Sequence, residues 1–380
     1  MEIRRFNDIF ARSAIRLCWG LALIALSSII LVDGASAQAA AAPTGDWQAR
    51  WDKTVASAKK EGEIVISGPS GRGWRDYLME FQKAYPEITV KITPSAGRSF
   101  WPRVMKEYEV GQYLWDLRIG GTDNLSFKLK GQGYLDSVRD ELILPEVTDE
   151  SKWYGGMNTV FVDKEKKYYL AFVFYEQTIA QYNKKFIPQD LTFADLLDPK
   201  FSGKISIAEP QGGSALSGTS VLYRVYGEDY IRKLVVDQKL VVTKEPRQQM
   251  QWMTTGRYPI TFGLPTAAIV EYSARGVSQD DIAPIKGPRA YSHGVGAISL
   301  PAKRPHPNAA TVFINWLVTK DVQTGLMQAV KLNSRRNDVP LGDPDSAIDF
   351  AHFSDYYGSQ AEEMQDDQDK TAEIYRQLIK

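Results

Sequence analysis

Three times before residue 130 the chain runs through one order of parts: a short β-branched stretch, a polar loop and an amphipathic helix. Ile64-Val65-Ile66 leads into Gly68-Pro69-Ser70-Gly71-Arg72-Gly73, after which Trp74, Tyr77, Leu78, Phe81 and Tyr85 fall on one predicted helical face. Ile88–Ile92 leads into Pro94-Ser95-Ala96-Gly97-Arg98-Ser99 and a predicted helix carrying Val104, Met105 and Tyr108. Leu114–Ile119 leads into Gly120-Gly121-Thr122-Asp123-Asn124. Strands that alternate with helices lie parallel in one sheet, because each helix crosses back over the sheet before the next strand begins. Ligands of such open sheets bind beyond the carboxyl ends of the strands. The three loops therefore make one candidate binding edge.

With 380 residues the chain is long enough for two such lobes. Tyr168–Tyr182 is β-rich and has the length to leave one lobe and enter another. Strands are expected at Lys204–Ala208, Leu240–Thr243 and Pro259–Leu264, with helices near Ala215–Tyr226, Asp229–Val236, Pro246–Thr254 and Thr266–Ala274. Within this lobe, the stretch from Asp195 reads as a short helix with Leu196 and Leu197 on its apolar face, ended by Pro199 with Gly203, and Ile205 and Ile207 alternate as a strand requires. Pro210-Gln211-Gly212-Gly213-Ser214 then opens a helix, with Ser214 suited to its N-cap. Ser292–Leu300 is expected to return the chain to the first lobe, where Asn308–Val318 forms a helix with a stripe of Val312, Phe313, Trp316 and Leu317. The charged tail, Ala361–Leu378, is expected as a helix on the outside. The expected partition is 45–174 and 300–380 for the first lobe and 175–299 for the second.

Ahead of both lobes lies a targeting segment. Arg4, Arg5, Arg12 and Arg16 precede an uncharged apolar run, Leu17–Val32, and Ala35-Ser36-Ala37 supplies small residues for cleavage before Gln38. The run is shorter than the roughly 20 residues that span a bilayer. Residues 1–37 are thus expected to be a cleaved signal peptide, and the protein to be periplasmic. Cys18, the only cysteine, falls inside this segment, so no disulfide is expected in the mature chain. Net charge is zero, and removing the segment leaves it near zero. That balance argues against nucleic acid as a partner, since phosphate neutralisation needs a basic excess.

The candidate ligand residues come from the loops. Ser70 and Arg72 in the first loop, Arg98 and Ser99 in the second and Thr122 in the third suit an anionic group, because helix N-termini offer free N–H donors and a favourable dipole. Ser99 and Thr122 equally suit helix capping, which uses the same groups. Gln211, Gly213, Ser214 and Thr266 are the second lobe's candidates, and Tyr175 belongs to the stretch between the lobes. The first loop closes without Gly-Lys-Ser/Thr and lacks dinucleotide glycine spacing. No Gly-x-Ser-x-Gly elbow or His-Glu-x-x-His occurs, and His293, His306 and His352 lack metal-ligand spacing. No catalytic residue, metal ligand or cofactor is therefore assigned. A binding protein is expected rather than an enzyme, with a periplasmic hydrolase as the opposing class.

Leu196-Leu197-Asp198-Pro199-Lys200-Phe201-Ser202-Gly203-Lys204-Ile205-Ser206-Ile207-Ala208-Glu209-Pro210 resembles the lobe-crossing segment of periplasmic solute-binding proteins of ABC importers, in the branch with ferric-ion-binding proteins. His306–Leu317, Asn333–Val339 and Lys59–Val65 resemble other parts of that family in the same order. The resemblance implies a two-lobed α/β fold, each lobe a mostly parallel sheet covered by helices, joined by β hinge strands. It implies a monomer that closes on a small solute and delivers it to an inner-membrane permease complex. The ferric proteins carry adjacent tyrosines in a region matched here by Gly263-Leu264-Pro265-Thr266-Ala267-Ala268, which has none. A small anionic organic or phosphate-bearing solute is expected, with ferric iron or a ferric complex as the alternative.

Overall fold

The computed structural model describes residues 46–95, 97–264, 266–274 and 276–379. The expected signal peptide and Cys18 lie outside them. No described helix is long and apolar enough to cross a membrane.

Fifteen strands follow one another among the described residues. The first five are β1 (Glu63–Gly68), β2 (Thr89–Pro94), β3 (Leu117–Gly120), β4 (Leu135–Asp136) and β5 (Leu170–Ala171). Next come β6 (Val173–Gln177), β7 (Ala180–Asn183), β8 (Ile205–Ala208), β9 (Val241–Thr243) and β10 (Ile260–Phe262). The last are β11 (Ile282–Pro284), β12 (Arg289–Ser292), β13 (Ala297–Pro301), β14 (Asn333–Ser334) and β15 (Tyr356–Gly358).

They form three sheets. The first runs β2-β1-β3-β13-β4, with β5 also on β13. The strands β1, β2 and β3 are parallel, as their alternation with helices requires, and β13 joins antiparallel. Ile64, Ile66, Leu117 and Ile119 are buried against Val312, Phe313 and Leu317 of the helix Pro307–Leu317. Trp316, the fourth residue of that expected stripe, is half-buried and meets Phe81 edge-on at 5.3 Å. The second sheet runs β11-β7-β10-β8-β9, with β8, β9 and β10 parallel and β7 antiparallel to β10 and β11. Ile205, Ile207, Ile260 and Phe262 build its core with the helix Gly213–Val236. That helix is broken at Gly227 (φ 83°, ψ 179°), between the two shorter helices that the sequence predicts.

The third sheet, β14-β6-β12-β15, lies in the passages between the other two. The chain crosses outward through β5, β6 and β7 and returns through β11, β12 and β13. The expected single return strand is two strands, separated by a turn at His293–Gly296. The segment thought to cross the lobes does not do so: Leu196, Phe201, Ile205 and Ile207 are all buried in the second core. A third passage runs through β15, which pairs in parallel with β12. Beyond it the helix Gln365–Leu378 buries Ile374 and Tyr375 in the second core, against Gly213–Val236. Its apolar residues thus pack away from the first lobe, where the expected partition puts 300–380. The helix Lys320–Val330 has no counterpart among the predicted elements.

Candidate functional site

The three first-lobe loops emerge from the carboxyl ends of parallel strands. Ser70 is exposed in the turn after β1. Arg72 projects into solvent, 93 % exposed, and pairs with Asp76 one helical turn on, Nε to carboxylate 3.0 Å. Its charge is therefore already offset on its own helix. The Ser67 and Ser95 hydroxyls touch, and the Ser95 N–H donates to the Gly68 carbonyl at 3.2 Å, which ties the first loop to the second. Ser99 is exposed in the first turn of the helix Gly97–Glu109. The side chains of Arg98 and Thr266 lie outside the described residues.

Thr122 is buried. Its hydroxyl donates to the Gln360 carbonyl at 2.7 Å, which uses its one proton. The 3.1 Å contact with His293 Nε2 is then a bond from the imidazole to Thr122 Oγ1. His293 is neutral: burial, then the nearby charge of Arg335, pushes its pKa down to about 3. Tyr175, half-buried on β6, faces the same turn, where a Cβ added to Gly294 would come within 3.0 Å of its hydroxyl. One added to Gly121 would lie 2.8 Å from the Gly294 carbonyl oxygen. Thr122 and Tyr175 are thus brought together across the His293–Gly296 turn.

In the second lobe, Gly212 rather than Ser214 is the N-cap of the helix Gly213–Val236, and no side chain caps this end. Gln211, Gly213 and Ser214 are exposed there. The Ser214 hydroxyl donates to the Gly263 carbonyl at 3.0 Å. Gly263 sits at φ +69°, and a Cβ on it would lie 2.7 Å from Ala215 Cα. Only glycine lets the end of β10 approach the helix mouth this closely.

A chain of polar groups, with Thr122, Gln177, Ser292 and Ser359 buried, joins the two sets of loops. Gln177, at the end of β6, donates from Nε2 to the Ser214 carbonyl at 3.1 Å and to Ser217 Oγ at 2.9 Å. Its Oε1 accepts from Ser359 Oγ at 2.6 Å. The next residue, Gln360, accepts from Ser292 Oγ at 2.5 Å and, through its carbonyl, from Thr122. The path from Thr122 to Ser214 therefore runs along the β15 and β6 passages, and Ser292 of β12 bonds to it from the return passage. Gln177, His293, Ser359 and Gln360 belong to no motif. They come from distant parts of the chain, so no local signal marks them.

Two surface depressions lie elsewhere. One, about 400 Å³, adjoins Lys204 at the amino end of β8, opposite the Glu209–Ser214 end. The other, about 490 Å³, lies between the helices Arg72–Leu78 and Lys320–Val330. Neither is lined by a candidate ligand residue. Among the described residues, no group of three or more His, Cys, Asp or Glu could hold a metal ion. In the adjacent tyrosine pairs Tyr168-Tyr169 and Tyr356-Tyr357, Tyr169 donates to the Ser126 carbonyl at 2.7 Å and Tyr356 to the Glu176 carboxylate at 2.6 Å.

A family model described as bacterial extracellular solute-binding protein matches residues 76–350. No curated protein shows significant similarity in sequence. Among solved structures, iron-bound HitA from Pseudomonas aeruginosa is similar, with a TM-score of 0.61 at 13% identity over 84% of this chain and 99% of that one. Apo FutA2 from Synechocystis PCC6803 has a TM-score of 0.63 at 13% identity, again covering 84% and 99%. The substrate-binding protein of an ABC transporter from Agrobacterium tumefaciens has a TM-score of 0.59 at 15% identity, covering 84% and 94%. At these identities the likeness establishes the fold: two α/β lobes joined by crossing strands.

Proposed function

Because the chain belongs to the bacterial extracellular solute-binding proteins, we propose that it is the solute-capturing component of an ABC importer. In this reading the solute sits where the strand-end loops of both lobes meet the crossing strands, and the loaded protein delivers it to a membrane permease. The observation that carries the reading is the polar chain from Thr122 through Gln360, Ser359 and Gln177 to Ser214. It connects the loop edges of both lobes through the strands on which closure turns. Contacts to both lobes at once favour a closed state, and only such differential affinity shifts the equilibrium.

The ligand set in this reading is Thr122, Tyr175 and the helix mouth at Gln211, Gly213 and Ser214, with Ser70 and Ser99 at the rim. An uncapped helix N-terminus and hydroxyl donors suit a small anion, organic or phosphate-bearing. The protein works as a periplasmic monomer that binds without turnover, after export and removal of residues 1–37. The ferric reading draws on the iron-bound neighbour, whose fold this chain shares.

A thermal-shift screen separates these readings. Organic anions and phosphate esters, ferric citrate, polyamines and sugars are tested, alongside absorbance on adding iron. Saturable stabilisation by an anion, with the anion recovered unchanged, is expected. A tyrosinate-to-iron charge-transfer band with no anion response would replace the anion by ferric iron. Multiple turnover abolished by a loop substitution would replace binding by catalysis.

A further inference from the structure

Two buried arginines stand side by side after β14, and only one has a counter-charge. Arg336, 1 % exposed, meets both Asp338 oxygens at 2.9 Å from Nε and Nη2. Its Nη1 donates to the carbonyls of Val318 and Glu146 at 3.1 and 3.2 Å. Arg335 is 2 % exposed. Its Nη2 donates to the Thr159 carbonyl at 2.5 Å, and its Nε has no partner. Among the described residues, no carboxylate forms an ion pair with it. Its guanidinium lies 5.0 Å from the ring centroid of Phe174 on β6 and 5.6 Å from that of Tyr291 on β12.

A cation stripped of water and left without an anion is strongly unfavourable in a low-dielectric interior. Two ring faces, the Thr159 carbonyl and the Tyr291 hydroxyl offset only part of this. The Arg335 N–H donates to the Phe172 carbonyl at 2.8 Å, which fixes the residue where β5 passes into β6. Tyr175 and His293 follow Phe174 and Tyr291 on the same two passages. His293 is neutral and cancels none of the charge. Of the two cations named from the sequence, Arg72 is solvated and spent on Asp76, and the side chain of Arg98 lies outside the described residues.

We infer that Arg335 is the specificity-determining counter-charge of the interlobe site, selecting a solute that bears a phosphate or carboxylate group. The inference rests on the proposed reading that the solute binds at the crossing strands. A guanidinium suits either anion, since its donors match both geometries.

Thermal unfolding of the purified protein in chloride, in inorganic phosphate and in citrate, at matched ionic strength, tests it. Phosphate or citrate is expected to raise the wild-type Tm above the chloride value. A response to phosphate alone selects the phosphate-bearing class, and one to citrate alone the carboxylates. Arg335→Met is expected to lose that increment and to raise the chloride Tm by about 2 °C or more, because an unpaired buried charge is gone. An Arg335→Met variant with a lowered chloride Tm and an intact increment would show a structural role and overturn the inference. So would a wild type indifferent to both anions. A sugar or polyamine that stabilised wild type and variant alike would overturn the counter-charge while leaving solute binding in place. Should Arg335→Met fail to fold, Arg335→Lys decides. A retained increment supports the charge, and a normally folded variant without one overturns it.

Discussion

Gln177, on a strand that crosses between the lobes, holds Ser214, at the mouth of a second-lobe helix, through a 3.1 Å hydrogen bond from its amide to the serine carbonyl. The other side of that amide accepts from Ser359, on the third passage. One buried side chain therefore sets where the helix mouth lies relative to two crossings. Movement of either lobe about the crossings bears on it directly.

Gln177→Met should separate this role from bulk packing. It removes the bonds to Ser217 Oγ, Ser359 Oγ and the Ser214 carbonyl, while Ser217 keeps the Ser214 carbonyl at 3.3 Å and Ser359 the Tyr291 carbonyl at 3.0 Å. A lost hydrogen bond costs about 0.5–1.5 kcal/mol, so urea unfolding should show a loss of at least that order. Titration with the solute found by the thermal screen should also show weaker binding. Wild-type affinity in a destabilised variant would mean that Gln177 is structural only.

Gly263 and Ser214 should rank in a definite order. Gly263→Ala forces a Cβ against the Ala215 backbone at positive φ, and strain of this kind costs about 1–3 kcal/mol. Ser214→Ala removes only a hydroxyl bond to a carbonyl, worth about 0.5–1.5 kcal/mol. Denaturant midpoints of the two variants check this, and the reverse order would refute the close approach of β10 to the helix mouth.

His293 should make stability fall with acidification. Its folded pKa lies at about 3, below the unfolded value of 6.5. Between these values the unfolded chain takes up a proton that the folded protein refuses. Stability therefore rises with pH across this window and is lost as pH drops from 6.5 toward 3, by at most about 1.4 kcal/mol per unit. His293→Gln should flatten that slope in urea unfolding at pH 7, 6 and 5. An unchanged slope would show that His293 does not contribute to it.

Asp338→Asn should be among the more damaging single changes. Arg336 would remain buried with its bidentate partner gone, and breaking such a pair costs about 3–5 kcal/mol. Replacing both residues, Arg336→Met with Asp338→Leu, should recover much of that loss, because no unpaired charge remains. A double variant as unstable as Asp338→Asn would contradict this account.

Ile64 and Ile66, the stripe of Val312, Phe313 and Leu317, and the break at Gly227 were legible in the chain itself. Strand and helix periods are local, and they repeat within a few residues. The same locality made the parallel strands and their loop edge legible, because a helix between two strands leaves the chain little choice of direction. Arg72 and Asp76, one helical turn apart, could also have been paired from spacing alone.

The joining of the lobes was not legible. Gln177 meets Ser359, Thr122 meets His293 and Gln360, and β12 takes β15 as a parallel neighbour, over separations that leave no periodic trace. The amphipathic tail helix carried its apolar stripe in plain view, yet a stripe does not say which core it will cover. Nor do two adjacent arginines reveal which one will find a carboxylate. Side-chain type and spacing determined what each segment could bury. Which buried polar group faces which partner is settled only when distant backbone carbonyls, hydroxyls and charges arrive at the same place, because hydrogen bonds and ion pairs act over a few ångströms and in fixed directions.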